Sequence, residues 1–422
     1  MQAIIITIGD EILIGQVVDT NSAFIGSELN KIGIQVKQII SISDNAYAIQ
    51  TAIAESLGKA DLVILTGGLG PTNDDITKHT IAEFFGVKLV RNQKVLEHIQ
   101  KLLKYRGVNF TNLNMNQADV PENCQILNNL NGTAPGMLFK TSNNKVLVSL
   151  PGVPFEMKPL ITDELIPWLM KSHKLPLRKH KTFLTTGVPE SSMANRLVEF
   201  EKDLPESMSL AYLPSPGILR LRLSISGESE PELAKIFEYH ARKLETYLKK
   251  DLFGYDSQTL EELTGEMLRR NKYTLSTAES CTGGNIAHLL TSVSGASDYF
   301  MGSVVAYSNK IKENILGVSK KDLEEFGAVS KQVVIQMANG IREKFNTDFA
   351  LATSGIAGPT GGSDDKPVGT VWIALASHLK TIAIKFQFGE HRQRTITRSS
   401  YAALNMLRLQ INKIVEKTVE KV

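Results

Sequence analysis

A serine on a glycine-rich turn is the first residue of this sequence whose surroundings suggest chemistry. Ser280 lies in the run TAESCTGG, between the β-branched run 273–278 and a helical pattern over 285–291. A turn from a strand into a helix places backbone N–H groups and the positive end of a helix dipole beside a small side chain. The turn could serve only as a helix cap, but it also predicts an oxyanion or phosphate site next to Ser280.

Two other segments are expected to reach the same place. The run 349–353 reads as a strand and ends in SGIAGPTGG, where glycines let the backbone approach a ligand without obstruction by Cβ atoms. The run VVAYSNKIK reads as a strand that delivers Tyr307, Lys310 and Lys312. Ligands of open α/β sheets bind outside the carboxyl ends of the strands. The loops are therefore expected to face one crevice.

None of these three segments contains a histidine. A serine hydroxyl is a poor nucleophile until a base removes its proton, and a desolvated lysine or a tyrosine can act as that base. The pattern therefore favours a Ser/Tyr/Lys arrangement over Ser-His-Asp. Cys281 is the rival nucleophile, although a lone buried cysteine is more often inert packing. Taken singly, Tyr307 is typical of a core or rim position.

A second glycine-rich turn lies near the start of the chain. The buried run 62–66 is followed by GGLGPTNDDIT before a helical pattern. Glycines make room for phosphate oxygens, a helix N-terminus attracts them, and a carboxylate at the turn can hold a Mg²⁺ that bridges them. Asp74 or Asp75 could instead only cap the helix. Acidic residues near other strand ends, Glu11 and Asp44 among them, strengthen the phosphate interpretation.

Composition limits the class of protein. The chain has 422 residues, of which 42% are hydrophobic and 22% charged, as in ordinary globular domains. Its net charge of +3 gives no electrostatic reason to expect nucleic acid as a partner. Cys124 and Cys281 are too few for a disulfide framework, and no apolar run approaches the roughly 20 residues of a membrane span. We expect a cytoplasmic protein that does not contact a membrane.

Hydrophobic periodicity predicts two α/β domains with mainly parallel sheets, joined by a small α+β module. The boundaries are placed at 1–171, 172–253 and 254–422. The predicted strands are 3–8, 34–41, 62–66, 145–150, 181–187, 217–226, 273–278, 304–307, 349–354 and 370–376. The predicted helices are 22–32, 46–58, 75–85, 191–200, 231–248 and 261–270, the last capped by Ser257 or Thr259.

The motifs of the third segment resemble those of a known family. TAESCTGG, AYSNKIK, GAVS, SGIAGPTGG and KPVGTVW are similar to the C-terminal domain of the competence/damage-inducible CinA family, a nicotinamide-mononucleotide deamidase. The resemblance implies that Ser280 attacks the carboxamide while Tyr307 and Lys312 assist proton transfer, without a cofactor. The product would be nicotinic acid mononucleotide, with release of ammonia.

The same resemblance implies a substrate site. Ser354 would help to bind the substrate, and an arginine after Gly389 would hold its phosphate. Many relatives have Gly-Asp-Arg where this chain has Gly-Glu-His-Arg, so Arg392 is the first choice and Arg394 and Arg398 remain alternatives. The lysine is similarly open between Lys310 and Lys312, although the spacing favours Lys312. The other implied contacts are Thr282, Gly283, Gly284, Asn309, Lys310, Gly355 and Gly358.

The N-terminal motifs carry a second resemblance. GDEIL, DTN, TGGLGPTNDDIT, GTAPG and LPGVPFEM are similar to the N-terminal domain of CinA and to the molybdopterin-binding fold. This implies a metal-dependent ADP-ribose pyrophosphatase that uses a divalent cation such as Mg²⁺, with K⁺ as a further candidate. The implied metal ligands are Asp75, Asp74 and Glu11, and the implied substrate contacts are Gly67, Gly68, Gly70, Asp44 and Asn21.

One alternative keeps the same fold. The N-terminal domain could be a non-catalytic module that binds molybdopterin or a nucleotide, because binding a pyrophosphate needs the same groups as cleaving one. Small-molecule nucleotides, nicotinamide mononucleotide and ADP-ribose, are the expected partners. A homodimer is the expected assembly.

Overall fold

The computed structural model describes residues 1–72, 75–141 and 143–419. Packing divides the chain into two compact units, one formed by Met1–Lys179 with Ile225–Ala234 and the other by His180–Ser224 with Lys235–Val422. The boundaries at 171/172 and 253/254 stay a prediction. None of the helices in the described residues is both long and apolar enough to cross a membrane.

The first unit is built on a mixed sheet with the strand order β2-β1-β3-β8-β7-β6. The strands β2, β1, β3 and β8 are parallel, whereas β7 and β6 continue the sheet in antiparallel fashion. A separate antiparallel pair joins β4 to β5. The strands are β1 (Gln2–Ile8), β2 (Gln35–Ile42), β3 (Leu62–Thr66), β4 (Leu89–Arg91), β5 (Asp119–Pro121), β6 (Gln125–Leu127), β7 (Gly136–Lys140) and β8 (Val146–Leu150).

Helices cover both faces of this sheet. Successive side chains of β1 point to opposite faces, so each face presents apolar side chains for a helix to cover. Ile5 packs in one buried cluster with Ile25, while Ile4 packs in another with Ile49 and Ile53. The helices are α1 (Asp10–Leu13), α2 (Thr20–Lys31), α3 (Ala46–Lys59), α4 (Thr77–Phe85), α5 (Gln93–Tyr105), α6 (Asn112–Gln117), α7 (Pro154–Pro159) and α8 (Ile166–Ser172), with a π-helical turn at Leu160–Leu165. The predicted α/β class is confirmed.

The middle segment of the chain forms a small sheet with the strand order β10-β11-β9-β12. Its strands are β9 (Leu177–Thr186), β10 (Met208–Ser215), β11 (Ile218–Gly227) and β12 (Leu252–Tyr255). Its helices are α9 (Glu190–Lys202) and α10 (Glu230–Leu248). The sequence predicted β9, β11 and both helices but missed β10 and β12.

The last segment forms a sheet with the order β14-β13-β15-β16-β17. The strands β14, β13 and β15 run parallel, so their carboxyl ends meet at one edge, and β16 and β17 are antiparallel. The strands are β13 (Leu275–Glu279), β14 (Phe300–Val305), β15 (Phe349–Gly355), β16 (Thr370–Ser377) and β17 (Thr381–Gln387). The helices are α11 (Leu260–Asn271), α12 (Asn285–Thr291), α13 (Asn309–Leu316), α14 (Lys320–Phe326), α15 (Lys331–Phe345) and α16 (Arg392–Val419).

Two local predictions in this segment need correction or choice. The strand predicted at 304–307 ends at Val305, so Tyr307 lies in the following loop and Lys312 lies on α13. Of the two candidate caps of α11, Thr259 accepts a hydrogen bond from the Glu262 amide, and Glu262 reciprocates in a capping box. Ser257 is not the cap.

Two contacts fix the helices that surround this sheet. A Cβ atom on Gly340 of α15 would lie 1.9 Å from the carbonyl oxygen of Leu316, the last residue of α13. The two helices therefore approach as closely as glycine alone permits. On α16, the buried Arg408 donates hydrogen bonds to the carbonyl oxygens of Lys250 and Leu252. This arginine fastens α16 to the start of β12.

Candidate active site

The carboxyl edge of the parallel strands of the last sheet carries a cavity of about 300 Å³. Ser280 follows β13 directly, and its amide donates a hydrogen bond of 3.0 Å to the Thr353 carbonyl oxygen on β15. The cavity is lined by most of the residues that the sequence predicted for this site: Ser280, Tyr307, Asn309, Lys312, Ser354, Gly355, Gly358 and Arg392. The expectation that the loops face one crevice agrees with this geometry.

Lys312 is the amine that reaches the serine. Its Nζ lies 3.1 Å from Ser280 Oγ and donates a hydrogen bond of 2.6 Å to the Ala306 carbonyl oxygen. The side chain is only 1% exposed, and this burial lowers the pKa of Lys312 below its usual value. Lys310, by contrast, is exposed and does not line the cavity. The structure thus places Lys312, and not Lys310, at the serine.

Cys281 lies beside Ser280 but in a different environment. The thiol is 7% exposed, and desolvation raises the pKa of Cys281 to about 12. The nucleophilic form of cysteine is the thiolate, which is scarce when the pKa is so far above neutrality. The environment of Cys281 favours the packing role.

Glu279 is a residue of this site that the sequence interpretation missed. Its carboxylate is fully buried and accepts hydrogen bonds from Thr282 Oγ1 at 2.7 Å and from the amides of Gly284, Ile286 and Ala287 at 3.1, 3.0 and 2.8 Å. The expectation that the N-terminal amides of α12 would bind the ligand is wrong for these three amides. An internal carboxylate has taken the place of the anion.

The glycine-rich turn is therefore a framework for Ser280 and Cys281. Thr282 is buried between Glu279 and Thr353, with its Oγ1 at 2.7 Å from Thr353 Oγ1. Gly283 and Gly284 adopt left-handed φ values of 62° and 98°, which the turn requires and glycine provides without strain. None of Thr282, Gly283 and Gly284 lines the cavity.

Arg392 and Tyr307 form one wall of the cavity. Arg392 donates from Nη1 to the Gly358 carbonyl oxygen at 2.8 Å and from Nη2 to Tyr307 Oη at 3.0 Å. A guanidinium has five N–H donors, so donors remain for an anion. Arg394 and Arg398, the alternatives that the sequence left open, line a different cavity. The structure thus brings only Arg392 to the serine.

Two short segments complete the lining. Ser354 Oγ donates a hydrogen bond of 2.6 Å to the Ala328 carbonyl oxygen, which brings the GAVS segment to the cavity. Across the described chain, the amides of Cys281, Ala357 and Gly358 donate a hydrogen bond to no other residue, and all three residues line the cavity. Such amides can stabilise an oxyanion. Ala328 and Ala357 were not predicted as site residues, because a backbone contribution leaves no signature in side-chain type.

Replacement of Glu279 by glutamine is expected to lower the free energy of unfolding by about 3 kcal/mol, because an amide NH₂ would face backbone donors. Urea unfolding measures this change. The matched control is E266Q, on an exposed residue of α11, with a change within about 0.5 kcal/mol. Equal stabilities for E279Q and E266Q would contradict the framework role.

The first unit carries the second predicted site at the end of β3. Gly68 has a left-handed φ of 64°, and a Cβ atom there would lie 2.1 Å from Thr77 Oγ1 and 3.0 Å from Asp44 Oδ1. Thr77 Oγ1 is buried and has no hydrogen-bond partner within the described residues. Gly67 is equally constrained, since its Cβ would lie 2.2 Å from the Ile8 carbonyl oxygen. The cradle at Gly67 and Gly68 is therefore narrow and lined by polar atoms.

Asp75 lies at the next bend of the same loop. Its carboxylate accepts hydrogen bonds from the Thr72 amide at 2.9 Å and from the Thr72 hydroxyl, and it lies against Gly70. The N-cap position of α4 is Ile76, without a side-chain cap. The interpretation of Asp75 as only a helix cap is therefore wrong. Asp74 lies outside the described residues.

Asn21 and Glu11 lie at neighbouring strand ends. Asn21 Nδ2 donates to Thr66 Oγ1 at 3.2 Å and to the Gly152 carbonyl oxygen at 2.7 Å, while its Oδ1 is buried without a partner in the described chain. Glu11 is exposed, with its carboxylate folded over Gly9. Within the described residues, no three acidic, histidine or cysteine side chains converge on a point that would hold a metal by themselves. A cation here would need further ligand oxygens from water or from its substrate.

Comparison with known proteins places this geometry in a family. Three family models match the chain: "CinA C-terminal domain" over residues 257–411, "Probable molybdopterin binding domain" over 4–171, and "Damage-inducible protein CinA KH domain" over 180–254. A CinA-like protein of Flavobacterium psychrophilum is 46% identical over 99% of this chain and 100% of its own length. The chain belongs to the CinA family.

A second full-length relative agrees with this membership. A CinA-like protein of Cytophaga hutchinsonii is 45% identical over 97% of this chain and 98% of its own length. Among solved structures, the competence/damage inducible protein CihA of Agrobacterium tumefaciens is 36% identical, covers 37% of this chain and 97% of its own, and aligns with a TM-score of 0.35. The resemblance recognised from the motifs is confirmed at the level of the family.

Proposed function

We propose that the Ser280 cavity hydrolyses the carboxamide of nicotinamide mononucleotide to nicotinic acid mononucleotide and ammonia. The observation that carries this proposal is the 3.1 Å contact between Ser280 Oγ and a buried lysine of lowered pKa. A serine beside a desolvated amine is an activated nucleophile that needs neither histidine nor metal. The family resemblance of the motifs supports the choice of an amide substrate.

The reaction follows from the contacts. Neutral Lys312 accepts the Ser280 hydroxyl proton as Oγ bonds to the amide carbon, and the carbonyl oxygen becomes an oxyanion. The amides of Cys281, Ala357 and Gly358 are the available donors to that oxygen. The C–N bond then breaks as the Lys312 ammonium gives its proton to the amide nitrogen, which leaves as ammonia, and water hydrolyses the Ser280 ester to the free carboxylate and restores the Ser280 hydroxyl.

The Ala306 carbonyl has a directing role in the first step. A carbonyl oxygen can only accept a hydrogen, so it takes one N–H of the neutral amine. The amine has a single lone pair, and its other contact is Ser280 Oγ. The lone pair is therefore free to point at the hydroxyl proton.

Tyr307 lies at the rim of the cavity, where it is 63% exposed and accepts a hydrogen bond from Arg392. From there it can contact the nicotinamide ring of the substrate or its ribose.

The size and charge of the cavity favour a mononucleotide. A volume of about 300 Å³ is at the lower end of the range of about 300 to 1,000 Å³ for ligand pockets. Arg392 offers its free N–H donors to a single phosphate. A dinucleotide would have to leave its second half in solvent. Steady-state ammonia release should therefore be far faster with nicotinamide mononucleotide than with nicotinamide adenine dinucleotide.

The proposal is tested by incubating the purified full-length chain with nicotinamide mononucleotide, with and without a chelator. Ammonia and nicotinic acid mononucleotide should form in equal amounts and at the same rate in both samples, because the described site supplies its own base. Ammonia release that stops with the chelator would contradict the Ser/Lys chemistry. Absence of ammonia release would contradict the proposed substrate.

We further propose that the β3 cradle of the first unit binds the pyrophosphate of ADP-ribose and hydrolyses it with a divalent cation. Within the described residues Thr77 Oγ1 and Asn21 Oδ1 have no hydrogen-bond partner, and Gly68 leaves no side chain between Thr77 and Asp44, which supports a polar ligand there. Asp75, together with phosphate oxygens, would hold Mg²⁺, which would polarise the pyrophosphate and neutralise its charge. The rival proposal is a binding module without turnover.

Asp75→Ala is expected to reduce Mg²⁺-dependent AMP release from ADP-ribose by about 100-fold or more, because a carboxylate ligand is lost. Ammonia release from nicotinamide mononucleotide should be unchanged in the same preparation. The matched control is Ser280→Ala, which should lose ammonia release and keep AMP release. An Asp75→Ala protein with full AMP release would contradict the assignment, and a wild-type chain that binds ADP-ribose without cleaving it would favour the binding module.

A further inference from the structure

A second and larger cavity lies in the second compact unit, away from the residues of the deamidase proposal. It has a volume of about 840 Å³, and none of Ser280, Lys312, Ser354 and Arg392 lines it. Its walls come from the turn between β9 and α9, the turn between β10 and β11, the end of β17 and one face of α16. Nothing in the proposed chemistry uses this space.

The turns of the small sheet lie directly on α16. Gly217, in the β10–β11 turn, has a left-handed φ of 84°, and a Cβ atom there would lie 2.9 Å from the ring of Tyr401. Gly187, in the β9–α9 turn, has a φ of 81°, and its Cβ would lie 3.1 Å from Asn405 Nδ2. Both turns therefore pack against α16, and the cavity is bounded by elements that contact one another.

Two arginines give the cavity a positive wall. Arg394 and Arg398 are one helical turn apart on α16, so both point into the same space. In the part of the chain that the structure describes, the Arg394 guanidinium has no hydrogen bond or ion pair, and Arg398 uses one N–H on the Phe388 carbonyl oxygen at 3.2 Å. Glu190, exposed at the start of α9, also lines the cavity. Cations thus outnumber carboxylates, and most guanidinium donors are available.

The wall of the cavity at the end of β17 is aromatic and apolar. Phe386 and Phe388 are stacked with centroids 5.2 Å apart and ring planes 9° from parallel, and both line the cavity. Pro214, Pro216 and Ile218 add apolar surface from the β10–β11 turn. Flat aromatic faces next to guanidinium groups suit a planar ring that carries an anionic group.

We propose that this cavity binds a nucleoside monophosphate, with its phosphate on Arg394 and Arg398 and its base against Phe386 and Phe388. The volume lies within the range of about 300 to 1,000 Å³ that ligand pockets span. The site combines an apolar wall with a few convergent polar groups, as small-molecule sites do. It is separate from the proposed deamidase site and does not depend on that activity.

The test is photolabelling of the full-length chain with an azido derivative of adenosine monophosphate, followed by mass-spectrometric mapping of the labelled peptides. Label is expected in the segments 214–219 and 386–398. Adenosine monophosphate should compete for this label at least tenfold better than adenosine or inorganic phosphate, because the site reads both the ring and the phosphate. The double variant R394Q/R398Q should lose at least nine-tenths of the label in these segments.

The matched control is K385Q, which removes an exposed positive charge from β17 next to Phe386 without touching the cavity. It should label as the wild type does. Circular dichroism melting establishes that both variants remain folded. Label found only around the β3 cradle or the Ser280 cavity, or label unchanged in R394Q/R398Q, would overturn the proposal. Phosphate that competes as well as adenosine monophosphate would overturn the role of the aromatic wall. Failure of the deamidase proposal would appear in ammonia release and not in these peptide maps.

Discussion

Ammonia release from nicotinamide mononucleotide is expected to fall by about 1,000-fold or more when Ser280 is replaced by alanine, because the nucleophile is lost. The residual rate would come from binding and from the amides that face the oxyanion. Among the described residues, the only hydrogen bond of Ser280 Oγ is the one with Lys312 Nζ, so its removal should leave the fold intact, and the thermal midpoint should stay near that of the wild type. Single-turnover measurement of ammonia gives the rate of the chemical step directly.

The matched control is Cys281→Ala, one residue further along the same turn. The thiol is buried, and its pKa is raised to about 12 by desolvation, so we expect C281A to retain most of the activity, with any loss explained by a small packing defect. The reverse pattern, an active S280A and an inactive C281A, would assign the nucleophile to Cys281 and refute the Ser/Lys interpretation.

Replacement of Lys312 by methionine should produce a loss of comparable size and should also change the pH dependence. The wild-type kcat/KM should rise with pH through the lowered pKa of Lys312, since only the neutral amine can accept the serine proton. Below that pKa the amine is protonated and the rate falls. In K312M this fall of kcat/KM at low pH should disappear, because the group that titrates is absent.

A urea-unfolding measurement distinguishes loss of the catalytic base in K312M from misfolding. Since the pKa of Lys312 is lower in the folded chain than in the unfolded chain, the buried amine costs stability at neutral pH, and this cost declines as the pH rises above the folded pKa. Methionine avoids the cost, so K312M should unfold at the same urea concentration as the wild type or a higher one. Lys310→Met, on an exposed residue of the same helix, is the control with wild-type activity. If kcat/KM of K312M still falls at low pH, a group other than Lys312 causes the fall.

The sequence could predict much of this site because strand ends follow from simple patterns. The buried runs before Ser280 and Ser354 are recognisable strands, and parallel neighbours must bring their carboxyl ends together. The identity of the lysine follows from burial, which a single sequence does not reveal: Lys310 and Lys312 differ by two positions on α13, and only packing decides which one enters the core. The motif spacing favoured Lys312, in agreement with the structure.

Glu279 and β17 were missed from the sequence and the choice among the arginines was left open, each for a different reason. Glu279 was passed over because an acidic residue before a nucleophile reads as a polar loop residue, whereas the fold buries it under the amides of α12. The strand β17 was missed, although Ile382, Ile384 and Phe386 alternate as a half-buried strand should. The arginines could have been sorted by helical geometry. At about 100° per residue, Arg394 and Arg398 share one face of α16, while Arg392 lies on another.

The close approach of Gly340 to Leu316 links the chemistry to residues that do not line the cavity. The helix that bears Lys312 packs on α15 at Gly340, where a side chain of any size would collide with the Leu316 carbonyl oxygen. The distance between Lys312 Nζ and Ser280 Oγ therefore depends partly on Gly340, because the methyl group of an alanine there would displace α13. A map of positions intolerant to substitution would consequently include Gly340 on α15, where the helix meets the last residue of α13, and a search for inhibitors could target that contact as well as the cavity itself.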